Sequence, residues 1–392
     1  MERFFWQPPN SFRKSRTKTM LSMTSSKFAG HSRHLLVAAL SLVVTTIGLG
    51  QEQTQRAAIG GQPKSRFTGP VAGWPSEVRA VEYLSAADNT LQPALFYAPK
   101  ENTSARPLLV ALHSWSGDYT QANPAYGLWC IAKQWVMVHP NFRGINQSPS
   151  ACGSELAVQD ILSAVEYAKS VCKVDEDRIY LMGGSGGGYA SLLMAGRAPK
   201  VWAGVSAWCP IYDLKIWHAE TQERKLKYAE MLEKVCGGKP GFSPQVDEQY
   251  RVRSAAAWLR FAKQVNLSIN TGITDGHNGS VPVSHTLNAF NDVVSKPNER
   301  ISADTIANMV KQPSMPPALL QKIDDPLLQR NPALFRRVSG TAQVTIFQGG
   351  HDIIYEAGLS WLEHQQRGKP PVWNVPAASQ VDLTKLDTAV GK

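Results

Sequence analysis

The chain has 392 residues, of which 43% are hydrophobic, 9% aromatic and 18% charged, which is enough apolar side chain for a large core and rules out a disordered or collagen-like chain. The formal charge of +10 points at first to nucleic acid, but residues 1–50 hold seven Lys/Arg and one acid, so the remaining 342 residues carry only 34 basic and 30 acidic side chains. That is an ordinary surface, without the clustered charge a nucleic-acid binder needs.

The first predicted element is the uncharged apolar run Leu35–Leu49, with Arg33 just before it. Its 15 residues are short for a membrane span, which takes about 20. Basic residues, a short apolar stretch and then Gly48-Leu49-Gly50 match an export signal cleaved before Gln51. The alternative is an uncleaved anchor, and Met20 or Met23 could serve as the start. The expectation is a secreted or periplasmic protein with no membrane contact after cleavage. A polar, Gly/Pro-rich linker spans 51–75.

From there extended and helical patterns alternate. Val78–Leu84 and Leu91–Ala98 read as strands, followed by the continuous apolar run Leu108–Leu112, which suits a strand buried on both faces. A helix is predicted over Ala122–Lys133, a strand over Trp135–Val138, a helix over Glu155–Val171 and a strand over Arg178–Met182. Tyr189–Ala195 reads as a helix and Trp202–Trp208 as a strand, and Val265–Thr271 and Val344–Phe347 supply two more strands. This alternation predicts an α/β fold with a mostly parallel, doubly wound sheet and helices on both faces. Residues 210–262 and 296–340 break it and read as lid-like insertions within a catalytic domain spanning 76–366, followed by a C-terminal tail at 367–392.

Between the third parallel strand and its helix stands Gly183-Gly184-Ser185-Gly186-Gly187, a G-x-S-x-G motif. A nucleophilic serine needs a tight turn that bulky neighbours would block, and the helix beyond it aims N–H groups at developing negative charge. The dinucleotide and Walker A patterns both fail, since Ser191 stands where the former needs its last Gly and Tyr189 where the latter needs Lys. A base and an acid should follow in the order Ser, Asp/Glu, His. His351 lies in the Gly-rich loop after the last predicted strand, and Asp275 ends the strand between, with Asp213 as its rival. His113 and His139 precede the serine, while His218, His277 and His285 fall elsewhere. The oxyanion hole should combine the N–H of Gly186 with that of Ser114 or Trp115. Trp115, Trp208 and Trp217 fall near the inferred site, as aromatic platforms or as core.

At these residues the chain resembles a known family. Asp177-Arg178-Ile179, Gly-x-Ser-x-Gly-Gly-Tyr at 183–189, Asn141-Phe142-Arg143-Gly144, and Asp275 with Val281-Pro282 are similar to the catalytic domain of prolyl-oligopeptidase-type serine peptidases, over roughly 107–366. The resemblance implies an α/β-hydrolase fold with Ser185 as nucleophile, Asp275 as acid and His351 as base. Two departures stand out: residues 51–106 are too few to build the propeller of the full-length peptidases, and the loop from Asp275 to Val281 is longer than the usual Asp-x-x-Val-Pro.

The expected function is hydrolysis of an ester or amide through an acyl-enzyme, on a small ester, an acylated sugar or a short peptide, with no cofactor or metal implied. A carbohydrate esterase of acetyl or feruloyl type is the alternative enzyme, and a non-catalytic binding protein the alternative of another class. Five cysteines without a Cys-x-x-Cys pair argue against a structural zinc site. Export would permit one or two disulfides and leave at least one thiol free.

Overall fold

Two antiparallel strands, β1 (Arg79–Leu84) and β2 (Leu91–Tyr97), begin the sheet in the computed structural model, which describes residues 71–101, 103–376, 381 and 383. The predicted export signal lies outside the described residues, as does most of the linker. Trp74, at the linker's end, is buried and donates its indole N–H to the Gln121 carbonyl at 3.1 Å, so the packed domain already includes it.

The apolar runs then become strands. β3 (Arg106–Leu112) has Leu108, Val110 and Leu112 in one core and Leu109 and Ala111 in the other, as the two-residue period of a central strand requires. Helix α1 (Pro124–Lys133) leads to β4 (Val136–Pro140), α2 (Glu155–Val171) to β5 (Val174–Gly184), and α3 (Gly186–Arg197) to β6 (Gly204–Trp208). Ser154 caps α2 by accepting the Ala157 N–H at 3.1 Å.

The stretch 210–262 folds into α4 (Leu214–Glu223), α5 (Tyr228–Cys236) and α6 (Pro244–Arg253), whose Trp217, Leu232 and Tyr250 join the main core. After β7 (Leu267–Gly272) come α7 (Val283–Val293) and α8 (Ala303–Lys311). The predicted insertion at 296–340 needs correcting. Its last part is a strand, β8 (Ala333–Ser339), paired antiparallel with β9 (Ala342–Phe347). Arg336 and Arg337 at its centre mask the strand in the sequence, and charge is how an edge strand avoids further pairing. Helix α9 (Tyr355–Glu363) follows.

The sheet order is β1-β2-β4-β3-β5-β6-β7-β9-β8, parallel from β4 to β9 and antiparallel at both edges. Side chains of α2, α3 and α7 bury into the core on one face, and those of α1 and α9 into the core on the other. This is an α/β-hydrolase fold. The C-terminal ends of β5, β7 and β9 open on the same edge, where ligands gather in such sheets. All five cysteines are free thiols, and no described helix is long and apolar enough to cross a membrane.

Candidate active site

Strand β5 ends at Gly184, and Ser185 turns the chain into α3 with φ 57° and ψ −119°, a conformation costly for any residue with a Cβ. Two backbone bonds hold it there: the Ser185 N–H donates to the Trp208 carbonyl at 2.9 Å, and the Tyr189 N–H donates to the Ser185 carbonyl at 2.8 Å. The flanking glycines are sterically required. A Cβ on Gly183 would stand 2.6 Å from the Gly187 backbone, and one on Gly186 would stand 2.2 Å from the Trp115 nitrogen.

That second contact brings the start of α3 against the loop after β3. The Gly186 N–H, in the first turn of the helix, has no intrahelical acceptor. In the loop the Ser114 N–H is taken by Gln121 Oε1 at 2.8 Å, whereas the Trp115 N–H meets no acceptor among the described residues. Of the two donors the sequence left open, Trp115 therefore stays available beside Gly186 and Ser114 does not. Gln121, which decides between them, carries no motif and was not legible beforehand.

Asp275 follows β7 and is buried. Its Oδ1 accepts the Gly276 N–H at 2.9 Å and the Val281 N–H at 3.2 Å, and its Oδ2 accepts from Thr271 Oγ1 at 3.3 Å. The same Oδ2 lies 2.7 Å from His351 Nδ1. The Asp275 side chain is 0% exposed and that of His351 25%, so the acid is enclosed while the imidazole reaches the open edge. The loop of His351 follows β9, and Gly272 at the end of β7 approaches it so closely that a Cβ there would lie 2.3 Å from Gly349 and Gly350. Cys209, next to the carbonyl that holds Ser185, directs its Sγ at the Asp352 carbonyl at 3.3 Å. Cys209, Asp275 and His351 form one group of possible metal ligands among the described residues, their ligating atoms within 4.8 Å of one another. Burial, reinforced by the Asp275 charge, pushes the Cys209 thiol well above its usual range, so it remains protonated.

The rival residues have other work. Asp213 caps α4, accepting the N–H groups of Lys215 at 2.8 Å and Ile216 at 3.0 Å. His113 is buried, stacks on Phe142 at 3.9 Å between centroids, and is depressed below its usual value by burial. Burial and the neighbouring His113 push His139 down to about 3. His218 pairs with Glu233 at 3.0 Å and His285 with Glu220 at 2.8 Å, while His277 contacts the Val310 carbonyl at 2.8 Å.

The tryptophans depart from the platform expectation. Trp208 faces the core beneath the sheet, 5.8 Å from Phe347, with its N–H on Ser206 Oγ. Trp115 and Trp217 pack edge-to-face at 4.7 Å, and Tyr228 stacks on Trp217 at 4.9 Å. All three tryptophans are buried, because their neighbours in space, invisible in a linear sequence, cover both ring faces.

The fold is that of the α/β-hydrolases, and Ser185 stands at the strand–turn–helix where that class of fold carries a nucleophile. Residues 154–305 match the Prolyl oligopeptidase family, which bears out the resemblance read from the motifs. The chain is 25% identical over 168 residues to acylamino-acid-releasing enzyme 1 of Oryza sativa subsp. japonica, covering 40% of this chain and 21% of that protein. Among solved structures it is similar to the acylaminoacyl peptidase of Pyrococcus horikoshii in its orthorhombic form, with a TM-score of 0.50 at 15% identity, covering 76% of this chain and 43% of that one. A puromycin-hydrolyzing peptidase of Mycobacterium tuberculosis gives a TM-score of 0.47 at 16% identity, covering 74% of this chain and 40% of that one. The chain thus spans about a fifth of the rice protein's length and under half of either structure's.

The tight contact at Gly186 yields a prediction. Gly186→Ala is expected to push the Trp115 amide away and lower kcat by about 100-fold or more, the scale of losing one oxyanion donor. Steady-state kinetics on protein with an unchanged circular dichroism spectrum would check it, and a kcat near wild type would exclude this pair of amides.

Proposed function

We propose that this chain is an exported serine hydrolase that cleaves short acyl substrates, esters or amides, through an acyl-enzyme. The 2.7 Å pairing of His351 and Asp275 on the same sheet edge as the strained Ser185 is the observation that carries the reading. With Nδ1–H held by Asp275, His351 presents Nε2 as the base. Ser185 Oγ attacks the acyl carbon while its proton passes to Nε2, and the amides of Gly186 and Trp115 receive the oxyanion. The carbon–leaving-group bond breaks as the proton moves to the leaving oxygen or nitrogen. Water, deprotonated by the same imidazole, then releases the acid and regenerates Ser185.

The preference for small substrates is supported by Trp115, Trp217 and Tyr228, which pack ring against ring at the oxyanion loop. Trp115, Trp208 and Trp217 are buried and offer no open indole face to a sugar ring, so they lend the sugar-ester alternative no support. Export rests on the apolar run at 35–49 and its basic leader.

The test is kcat/KM on an ester and an amide sharing one acyl group, each divided by its uncatalysed rate. Because similar proteins include an acylamino-acid-releasing enzyme, the amide series should contain N-acylated peptides of increasing length. The normalised acceleration is expected to be larger for the ester and to fall as the peptide lengthens. An amide acceleration equal to the ester's and rising with length would replace this reading with that of an extended-peptide peptidase.

A further inference from the structure

The long loop between Asp275 and Val281 is held from outside by the stretch that reads as a lid. Arg224, at the C-terminal end of α4, donates Nη2 to the Gly279 carbonyl and Nη1 to the Ser280 carbonyl at 3.4 Å. Trp217, two turns earlier on α4, donates its indole N–H to the Ser280 carbonyl at 2.9 Å. No ion pair of Arg224 occurs among the described residues, so its forked guanidinium is spent on two consecutive carbonyls of this loop.

Those carbonyls belong to the segment that shapes the acid. Asp275 Oδ1 takes its N–H bonds from Gly276 and Val281, the two ends of the loop. Gly279 lies between acid and base: a Cβ there would stand 2.2 Å from Asp275 Oδ1 and 2.7 Å from the His351 Cβ. The Gly279 backbone thus borders both groups, and a shift of it toward them would press on the carboxylate or the imidazole.

We propose that Arg224 is a positioning residue, acting through Gly279 and Ser280 to hold Asp275 against His351. The inference rests on the Ser185–His351–Asp275 reading. It recasts α4 as a buttress of the acid loop rather than as part of a lid, and explains how a loop longer than the family pattern keeps its carboxylate in place. Misplacement of a catalytic group by about 1 Å can cost ~100-fold in rate. Loss of the fork, with Trp217 still in place, should cost about 10-fold by the same reasoning.

The experiment is a double-mutant cycle in the full chain, with kcat and KM on one small ester. Arg224→Gln is expected to lower kcat about 10-fold with KM and Tm little changed, because the group it serves works in the transition state and not in binding. In the Asp275→Asn background the same change should cost nothing further, since the carboxylate it positions is gone. Arg224→Lys, which keeps charge and stem but reaches one carbonyl, should fall between and covers the case in which Gln impairs folding. A full cost of Arg224→Gln retained in the Asp275→Asn background would overturn the proposal, as would wild-type kcat in either Arg224 variant. If Asp275→Asn alone leaves the rate unchanged, the reading beneath fails and the proposal falls with it.

Discussion

Ser185→Ala is expected to lower kcat by about 10⁴-fold or more and to abolish labelling by a fluorophosphonate, while the protein stays folded. The size follows from the proposed role: if Ser185 is the nucleophile, no covalent intermediate forms without Oγ, and what remains is oxyanion stabilisation and binding. The backbone geometry adds a stability corollary. Ser185 sits at φ 57° and ψ −119°, held by the Trp208 carbonyl and by its own bond to Tyr189, and Ala would carry the same strain. Ser185→Gly removes the Cβ that makes this conformation costly, so it should be equally inactive yet roughly 1 kcal/mol more stable than the alanine variant. Denaturant unfolding of the two variants beside their residual rates checks both halves. A glycine variant less stable than the alanine one by about 0.5–1 kcal/mol, the entropy that glycine alone would cost, would mean that the turn stores no strain.

Asp275→Asn should cost about 10³- to 10⁴-fold in kcat with little change in KM. The hydrogen bonds dictate why. Oδ1 accepts two backbone N–H groups, from Gly276 and Val281, so the amide oxygen of Asn must take that position. Its NH₂ then replaces Oδ2 and faces His351 Nδ1 as a donor. The imidazole must answer with an unprotonated Nδ1 and a proton on Nε2, the tautomer that cannot take the serine proton. Asp213→Asn is the control, since Asn caps a helix as well as Asp does, and neither rate nor stability should move far. The reverse order of effects would transfer the acid's role to Asp213.

What was legible in the sequence is what short-range pattern encodes. The all-buried runs of β3, β7 and β9, the glycine-flanked Ser185, and the places of Asp275 and His351 just past strand ends could be read directly, and the structure brings Asp275 and His351 into contact. What was not legible depends on neighbours distant in sequence. β8 is a strand because β9 offers it a partner, despite paired arginines at its centre. The donor left available after β3 is decided by Gln121, seven residues beyond Ser114. Whether Trp115, Trp208 and Trp217 are platforms or core depends on which rings meet them in space. The work of Arg224 could not be read because its acceptors are backbone carbonyls, which carry no residue identity.

The most direct measurement is the site of covalent capture. The full chain is incubated with a fluorophosphonate, digested with trypsin and mapped by mass spectrometry. The adduct should fall on the peptide of residues 179–197, at Ser185 and not at Ser191, the other serine it contains. A folded, untreated chain that takes no adduct, or takes it on another residue, would contradict the assignment of this protein as a hydrolase working through Ser185.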